Sequence, residues 1–431
     1  MSVTPTISLS ASGAAPGTVV TIQGRGYDAA GTVSVTWNGA PVATSPASPL
    51  TDAVGSFSAT FVVPGGTGLP ECSGSVGATT SSAGASATFA VRPCITWPSS
   101  FGAIGTLVVA SGNGFTAGTP VGIAWDGAPP AFALTPAAPV VAANGGFSFT
   151  FAAPPSPGDH TLQLTIGSYS RSLTYTVATP ALTLSPTSGA SGSYLSVYFS
   201  SFPVNSPYTV TFNGVTRNSG TTTSSGAGSA YFQLSAMPAG PYPVVVSAGG
   251  TTLTATYAAA PQLTLGTGGA YYGYAVSVSG ASFAASTAWS LTLNGLALAS
   301  GTTDANGAFS GSFTVPDLPV GNYPLVVTAG ATSASTSFGV GKWLVISPTT
   351  GSAASPPAIT VAGHGHFAGL DVQITFDGTV VGTVTPAANG SFSFTFTPTL
   401  TPVTTNTTHT ISSVLVQNGI VQQSVTFTQT P

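Results

Sequence analysis

The chain has 431 residues, of which five are Lys or Arg and nine are Asp or Glu, and its net charge is −4. Average proteins are about one quarter charged, so this surface must be built from Ser, Thr, Asn, Gln, Gly and Ala. Five scattered cations cannot assemble the basic patch that nucleic acid requires, and no apolar run reaches the roughly 18 residues of a membrane-spanning helix.

Along the chain, an Asn-Gly or Asp-Gly dipeptide follows an alternating apolar strand five times, at intervals of 81 to 88 residues. The strands are Val33–Trp37, Val121–Trp125, Val210–Phe212, Leu291–Leu293 and Ile374–Phe376. The turns are Asn38-Gly39, Asp126-Gly127, Asn213-Gly214, Asn294-Gly295 and Asp377-Gly378. These dipeptides favour tight hairpins because both central residues take positive φ. After each comes a strand with aromatic residues on one face and small polar residues on the other. Examples are Gly55–Phe61, Gly146–Phe151, Ala230–Leu234, Gly307–Phe313 and Gly390–Phe396. Period-two alternation of this kind predicts strands buried on one face. No stretch of helical periodicity with caps is found. The reading is an all-β chain of five tandem repeats.

Repeat four shows the strand count. Strands are predicted near Gln262–Gly266, Tyr274–Gly280, Trp289–Leu293, Leu296–Ser300, Ala308–Val315, Tyr323–Ala329 and Thr332–Val340. Seven short strands with turn signals every eight to twelve residues is the β-sandwich pattern. Tyr242 and Tyr323 open the sixth strand of repeats three and four, where an immunoglobulin-type sandwich carries its tyrosine corner. His160 and His409 take the matching positions in repeats two and five. The expected domains are 1–92, 93–178, 179–259, 260–340 and 341–431. Proline-bearing joints such as Arg92-Pro93, Thr179-Pro180 and Ala260-Pro261 are stiffer than Gly/Ser tethers. The expectation is therefore an elongated semi-rigid array.

The pattern Val20-x-Ile22-x-Gly24-Arg25-Gly26-Tyr27, then a strand, then Asn-Gly, resembles the IPT/TIG-type immunoglobulin-like fold. Gly112-Asn113-Gly114-Phe115 and Gly363-His364-Gly365-His366-Phe367 repeat it. Gly280-Ala281-Ser282-Phe283 is looser, and Ser200-Ser201-Phe202 has lost the glycines. The resemblance implies bacterial or archaeal surface proteins, adhesins, enzyme spacers or phage structural proteins.

Cys72 falls at the start of the sixth strand of repeat one, and Cys94 just past the seventh, so both are expected at one end of the sandwich. A Cys72–Cys94 disulfide would close a loop of about 22 residues and stabilise by about 3 kcal/mol in the chain-entropy model. It would favour an oxidising setting. The alternative is a pair of free thiols in a reducing cytosol. Met1-Ser2-Val3-Thr4-Pro5 carries no charged or apolar leader region. That start fits a mature segment, a virion protein, or export without a visible signal.

Catalytic constellations are sparse. The chain has four histidines, and Asp159-His160 are adjacent, so in a strand they point to opposite faces. Repeat three has no acid at all, which counts against paired-carboxylate chemistry. His364 and His366 could place two imidazoles on one face for a metal, but no third ligand is identifiable. Asp52 and Asp304 sit in Thr-Asp-x-x-Gly turns that could offer a calcium ligand or form ordinary Asx turns. The sequence thus assigns no catalytic residue, no metal and no cofactor.

Tyr194 and Tyr198 in repeat three, and Tyr271, Tyr272 and Tyr274 in repeat four, form the candidate interaction surface, for a sugar or a protein neighbour. Asn389 and Asn406 head N-glycosylation sequons. The sequence reading is a non-enzymatic structural protein, extracellular or on the cell surface. It would be the protomer of a filament, fibre or surface layer that self-associates through uncharged faces and edge strands. The alternatives are a virion fibre or decoration protein, and an adhesin or carbohydrate-binding array with a glycan or host-surface ligand.

Overall fold

The computed structural model describes residues 4–64, 72–96 and 99–431; Met1–Val3, used in the sequence reading, lie outside them. No helix occurs among the described residues, and the strands form ten sheets, two for each repeat. The protein is all-β, five immunoglobulin-like sandwiches in tandem.

Repeat four shows the frame. Gln262–Leu265, Ala275–Ala281 and Phe309–Thr314 form a three-stranded sheet in that order. Gly269–Tyr271, Thr332–Gly341, Gly321–Ala329, Ala288–Leu293 and Leu296–Thr302 form a five-stranded one. Seven of these strands follow the expected pattern. The eighth, Gly269–Tyr271, is a finding of the structure: it pairs in parallel with the last strand, Gly269 opposite Gly339. The chain thus crosses from one sheet to the other before the second long strand. The pattern is too short to read, since three residues carry no usable periodicity.

The same two-sheet plan recurs elsewhere. In repeat five, Trp343–Ser347, Ile359–His364 and Phe392–Phe396 face Thr350–Ser352, Val421–Thr430, Thr407–Leu415, Val372–Phe376 and Thr379–Val384. In repeat two, Cys94–Thr96, Leu107–Asn113 and Phe147–Ala152 face Phe101–Gly102, Tyr169–Val177, Gly158–Ile166 and Val121–Trp125. Repeat one adds the short Thr44–Ser45 beside Phe57–Val62. Repeat three holds Ala181–Ser185, Tyr194–Ser200 and Gly228–Gln233 in one sheet and five strands in the other.

By internal contacts the chain divides into two compact units. One is Met1–Thr183 with Val197–Ala230 and Val245–Ala255; the other is Leu184–Ser196 with Tyr231–Val244 and Thr256–Pro431. Each sandwich core is the inward face of its alternating strands. In repeat two it includes Val108, Trp125, Phe149, Phe151, Leu162, Leu164 and Tyr175. In repeat four it includes Val276, Phe283, Trp289, Leu291, Phe313, Leu325 and Phe338. Burying a side chain of this size stabilises by about 1.5–3 kcal/mol.

The dipeptide turns adopt the geometry their residues favour. Asn38, Asp126, Asn213, Asn294 and Asp377 have φ between 47° and 50°, and each following glycine lies between 76° and 83°. Two successive positive-φ residues are what a type I′ hairpin needs.

Candidate functional site: corners, joints and tyrosine faces

The corner residues close the fold from within. Tyr323 donates its hydroxyl to the carbonyl of Pro319 at 2.8 Å, and Tyr242 does the same to Pro238 at 3.0 Å. In repeat two His160 replaces the tyrosine and reaches the corresponding carbonyl: Nε2 lies 2.7 Å from the Ser156 oxygen. Its Nδ1 lies 2.7 Å from Asp126 Oδ2, while Asp126 Oδ1 accepts the Thr161 N–H at 2.8 Å. Repeat five repeats this arrangement. His409 Nδ1 is 2.7 Å from Asp377 Oδ2, and Asp377 Oδ1 accepts the Thr410 N–H. His409 Nε2 faces Gln429 Oε1 at 3.0 Å, and the Gln429 amide is oriented by donating to the Thr401 carbonyl.

The turn residue and the corner residue therefore go together. Asp accompanies His in repeats two and five, and Asn accompanies Tyr in repeats three and four. The residue after the tyrosine is proline, Pro243 or Pro324, which has no N–H to give a turn carboxylate. In repeat one Asn38 Oδ1 accepts the Ser75 N–H at 2.7 Å. The corner position there is Gly74, and the Trp37 ring fills the space a side chain would need.

Ser156, His160 and Asp126 have the outline of a nucleophile, base and carboxylate, with Ser156 Oγ 3.3 Å from Nε2. A base needs a free lone pair at Nε2. Here Nε2 is closer to the Ser156 carbonyl, which can only accept, so the geometry favours the protonated ring with both nitrogens donating. Trp125 stacks on it at 4.8 Å, as Phe376 does on His409, an arrangement that favours the cation. Burial opposes protonation of His160. The Asp126 carboxylate, the Ser156 carbonyl and the charge of Asp159 outweigh it and hold the pKa above its ordinary value. Burial likewise opposes His409, and Asp377 and Gln429 overcome it. Asp159 and His160 lie on opposite faces of the strand, as their adjacency predicts: Asp159 accepts the Thr176 hydroxyl at 2.6 Å, while the carboxylate that binds His160 is Asp126.

The joints follow a recurring plan. The turn before the second long strand of one repeat meets the residues just after the same strand of the next. Between repeats two and three, the Val204 N–H donates to the Ile104 carbonyl at 3.0 Å. Between three and four, the Ser191 N–H donates to Ser282 Oγ at 2.8 Å, and the Ala239 N–H to the Phe283 carbonyl at 3.1 Å. Between four and five the contact is aromatic. Tyr272 stacks on His364 with centroids 3.9 Å apart, and Tyr271 stacks on Trp343 at 4.3 Å and 9°. His364 Nδ1 also lies 2.7 Å from Asp317 Oδ1. Repeats one and two are joined differently, by a Cys72–Cys94 disulfide.

His364 and His366 consequently do not form a metal pair. His364 faces repeat four, whereas His366 is buried with Nε2 3.0 Å from Ser413 Oγ. Burial pushes the His366 pKa down to about 4, with the charges of Lys342 and His364 adding to the effect. Among the described residues no three His, Cys, Asp or Glu side chains come together. Asp52 and Asp304 are Asx turns: Asp304 Oδ1 accepts the N–H groups of Asn306 and Ala308, and Asp52 Oδ1 those of Val54 and Ser56.

The other candidate tyrosines, Tyr194, Tyr198 and Tyr274, face solvent. Tyr194 and Tyr198 are about half exposed, and Tyr194 stacks on Tyr231 with centroids 5.0 Å apart and planes 5° from parallel. Tyr274 packs T-shaped against Tyr271 with centroids 5.6 Å apart. Sequence reasoning missed Tyr231, which stands where other repeats carry Thr60, Thr150, Ser312 and Thr395; that outlier was the available signal. Asn389 and Asn406 are both exposed, and Asn389 Oδ1 accepts the Ser391 hydroxyl at 2.8 Å.

No protein-family model matches the chain, and no curated protein matches it. Among solved structures it is similar to the I9–I11 tandem from titin, with TM-score 0.25 and 12% identity over 59% of this chain and 99% of that one. It is similar to a tetra-tandem repeat in the extending region of a large adhesion protein, with TM-score 0.19 and 19% identity over 78% and 99%. A third likeness is FdeC, an Escherichia coli adhesin, with TM-score 0.21 and 12% identity over 60% and 98%. Likenesses this distant carry no functional argument. The class rests on the sheets and corners above: a tandem immunoglobulin-like β-sandwich protein.

Proposed function

We propose that this chain is a non-enzymatic structural protein of an extracellular surface, the protomer of a filament, fibre or layer that associates through uncharged sandwich edges. The observation that carries the reading is the chemistry of those edges. The three-stranded sheets of repeats three to five end on Gly228–Gln233, Phe309–Thr314 and Phe392–Phe396, whereas in repeat two Thr135 exchanges two backbone hydrogen bonds with Thr150 and partly caps the corresponding edge. None of these strands holds a charged residue or a proline. Exposed edges normally carry such residues to block strand addition, and edges without them accept a neighbouring strand.

Two further features support the reading. The Cys72–Cys94 disulfide suits an oxidising compartment. The low charge leaves little electrostatic repulsion between copies. The Gly-x-Gly-aromatic signature of repeats one and two assigns the sandwiches to the IPT/TIG type under the same proposal. Electron microscopy of the purified chain at increasing concentration tests the function. Ordered filaments or sheets are expected, and dispersed single chains at high concentration would refute it.

A further inference from the structure

Repeat four carries an open cleft beside its parallel strand pair. It has a volume of about 520 Å³ and is lined by Gly269, Tyr271, Val320, Asn322, Gly339 and Val340 among others. That size lies within the roughly 300–1,000 Å³ typical of small-ligand clefts. Its base is backbone: Gly269 and Gly339 face each other across the parallel pair, and a Cβ on Gly269 would come within 2.8 Å of the Gly339 oxygen. Side chains are thus kept out of the base by close packing of the strands.

Tyr271 lines this cleft, and its ring stacks on Trp343 and packs T-shaped against Tyr274. The three rings remain 37–45% exposed. Such a cluster is costly to leave in water without a partner. In the sister repeats the positions of Tyr271, Tyr272 and Tyr274 hold Ala15, Pro16 and Thr18, or Ala103, Ile104 and Thr106, or Ala190, Ser191 and Ser193. The joint itself therefore does not require tyrosines there. The exposed Asn322 supplies an amide, with donors and an acceptor, at the rim.

We propose that this cleft binds a short neutral oligosaccharide. The apolar C–H face of a pyranose ring fits an aromatic wall, and its hydroxyl groups find the Asn322 amide. Charge selects the ligand class. No lining residue is charged, and the nearest acid described at this joint, Asp317, is already engaged by His364. An anionic or cationic partner would find no counter-charge here, whereas a neutral sugar needs none. The inference stands independently of self-association.

The test uses the full chain with maltotriose, cellotriose and triacetylchitotriose as neutral probes and sialyllactose as the anionic control. Saturation-transfer NMR and titration calorimetry provide the readouts. At least one neutral trisaccharide is expected to bind saturably. Its affinity should fall about tenfold or more in Tyr271→Ala, the loss of one aromatic anchor, and measurably in Asn322→Ala, while Tyr198→Ala leaves it unchanged. Because Tyr271→Ala also removes a joint contact, Asn322→Ala and the cleft-filling Val320→Trp decide the outcome if that variant unfolds. No transfer to any neutral probe at millimolar concentration would overturn the proposal, as would binding insensitive to both Asn322→Ala and Val320→Trp. Equal or tighter binding of sialyllactose would overturn the charge argument. Loss of self-association in the cleft variants without any sugar binding would show that a second copy occupies the site. Ser312→Lys, on the edge strand, should change association and not sugar binding, so the two readings fail separately.

Discussion

Asp126 and His160 meet at 2.7 Å, and the other ring nitrogen of His160 is held at 2.7 Å by a carbonyl four residues upstream. A tyrosine corner has thereby become a charged one, closed by an imidazolium rather than a phenol. The pair ties the hairpin turn to the strand that follows it across the sheet.

This geometry has a pH signature. His160 and His409 have folded pKa values above the ordinary 6.5, so their contribution to stability is fully present below pH 6.5 and is lost as pH rises through the raised values. Asp126 is lowered by its bonds from His160 and Thr161. Asp377 is lowered despite burial, by His409 and Thr410. Their contribution is present above 3.8 and is lost as pH falls through the lowered values. Repeat two should therefore be most stable between roughly pH 4 and 6.5. His366 acts in the opposite sense in repeat five, losing stability as pH falls from 6.5 toward 4. NMR titration of the four histidines should show two rings titrating above 6.5 and one near 4. Converting the corner with Asp126→Asn and His160→Tyr should remove the acid-side preference of repeat two; an unchanged profile would contradict the assignment.

Gly55, Gly226 and Gly307 mark one recurring backbone demand. Each has φ near 71–73°, and a Cβ at any of them would overlap the carbonyl of Tyr27, Phe202 or Phe283. Left-handed backbone costs an L-residue about 1–2 kcal/mol before any clash. Gly307→Ala should destabilise repeat four by at least about 2 kcal/mol, measured by the urea midpoint.

The disulfide closes a separation of 22 residues. Cys72→Ser with Cys94→Ser should lower the stability of repeat one by about 3 kcal/mol. Calorimetry with and without reductant should reproduce that loss in the parent chain and show none in the variant.

The aromatic joint between repeats four and five can be measured as a coupling. A double-mutant cycle with Tyr272→Ala and His364→Ala should return about 0.5–1.5 kcal/mol for the stacked pair. A coupling near zero would mean that the 3.9 Å contact contributes nothing to unfolding.

Much of this fold was legible because its rules are local. Asn-Gly and Asp-Gly imposed their turns, alternating Phe-Ser-x-Thr-Phe strands exposed their buried face, and Tyr242 and Tyr323 marked the corner. What stayed hidden depended on residues far apart in sequence. Asp317 and His364 are 47 positions apart and in different repeats, so neither marks the other in the chain. The Asp126–His160 bond spans 34 positions, too far for spacing alone to pair the two residues. The parallel strand Gly269–Tyr271 was hidden by its length, and with it the cleft it borders.

Self-association through uncharged edges is the central claim, and sedimentation velocity of the parent chain and Ser312→Lys tests it most directly. Ser312 is exposed on the edge strand Phe309–Thr314, and a surface lysine there should leave monomer stability within about 0.5 kcal/mol. The account predicts that the parent shifts to larger species with concentration, nearly independently of salt, and that the lysine suppresses the shift. A parent chain that stays monomeric at high concentration, or a lysine variant that associates equally well, would contradict it.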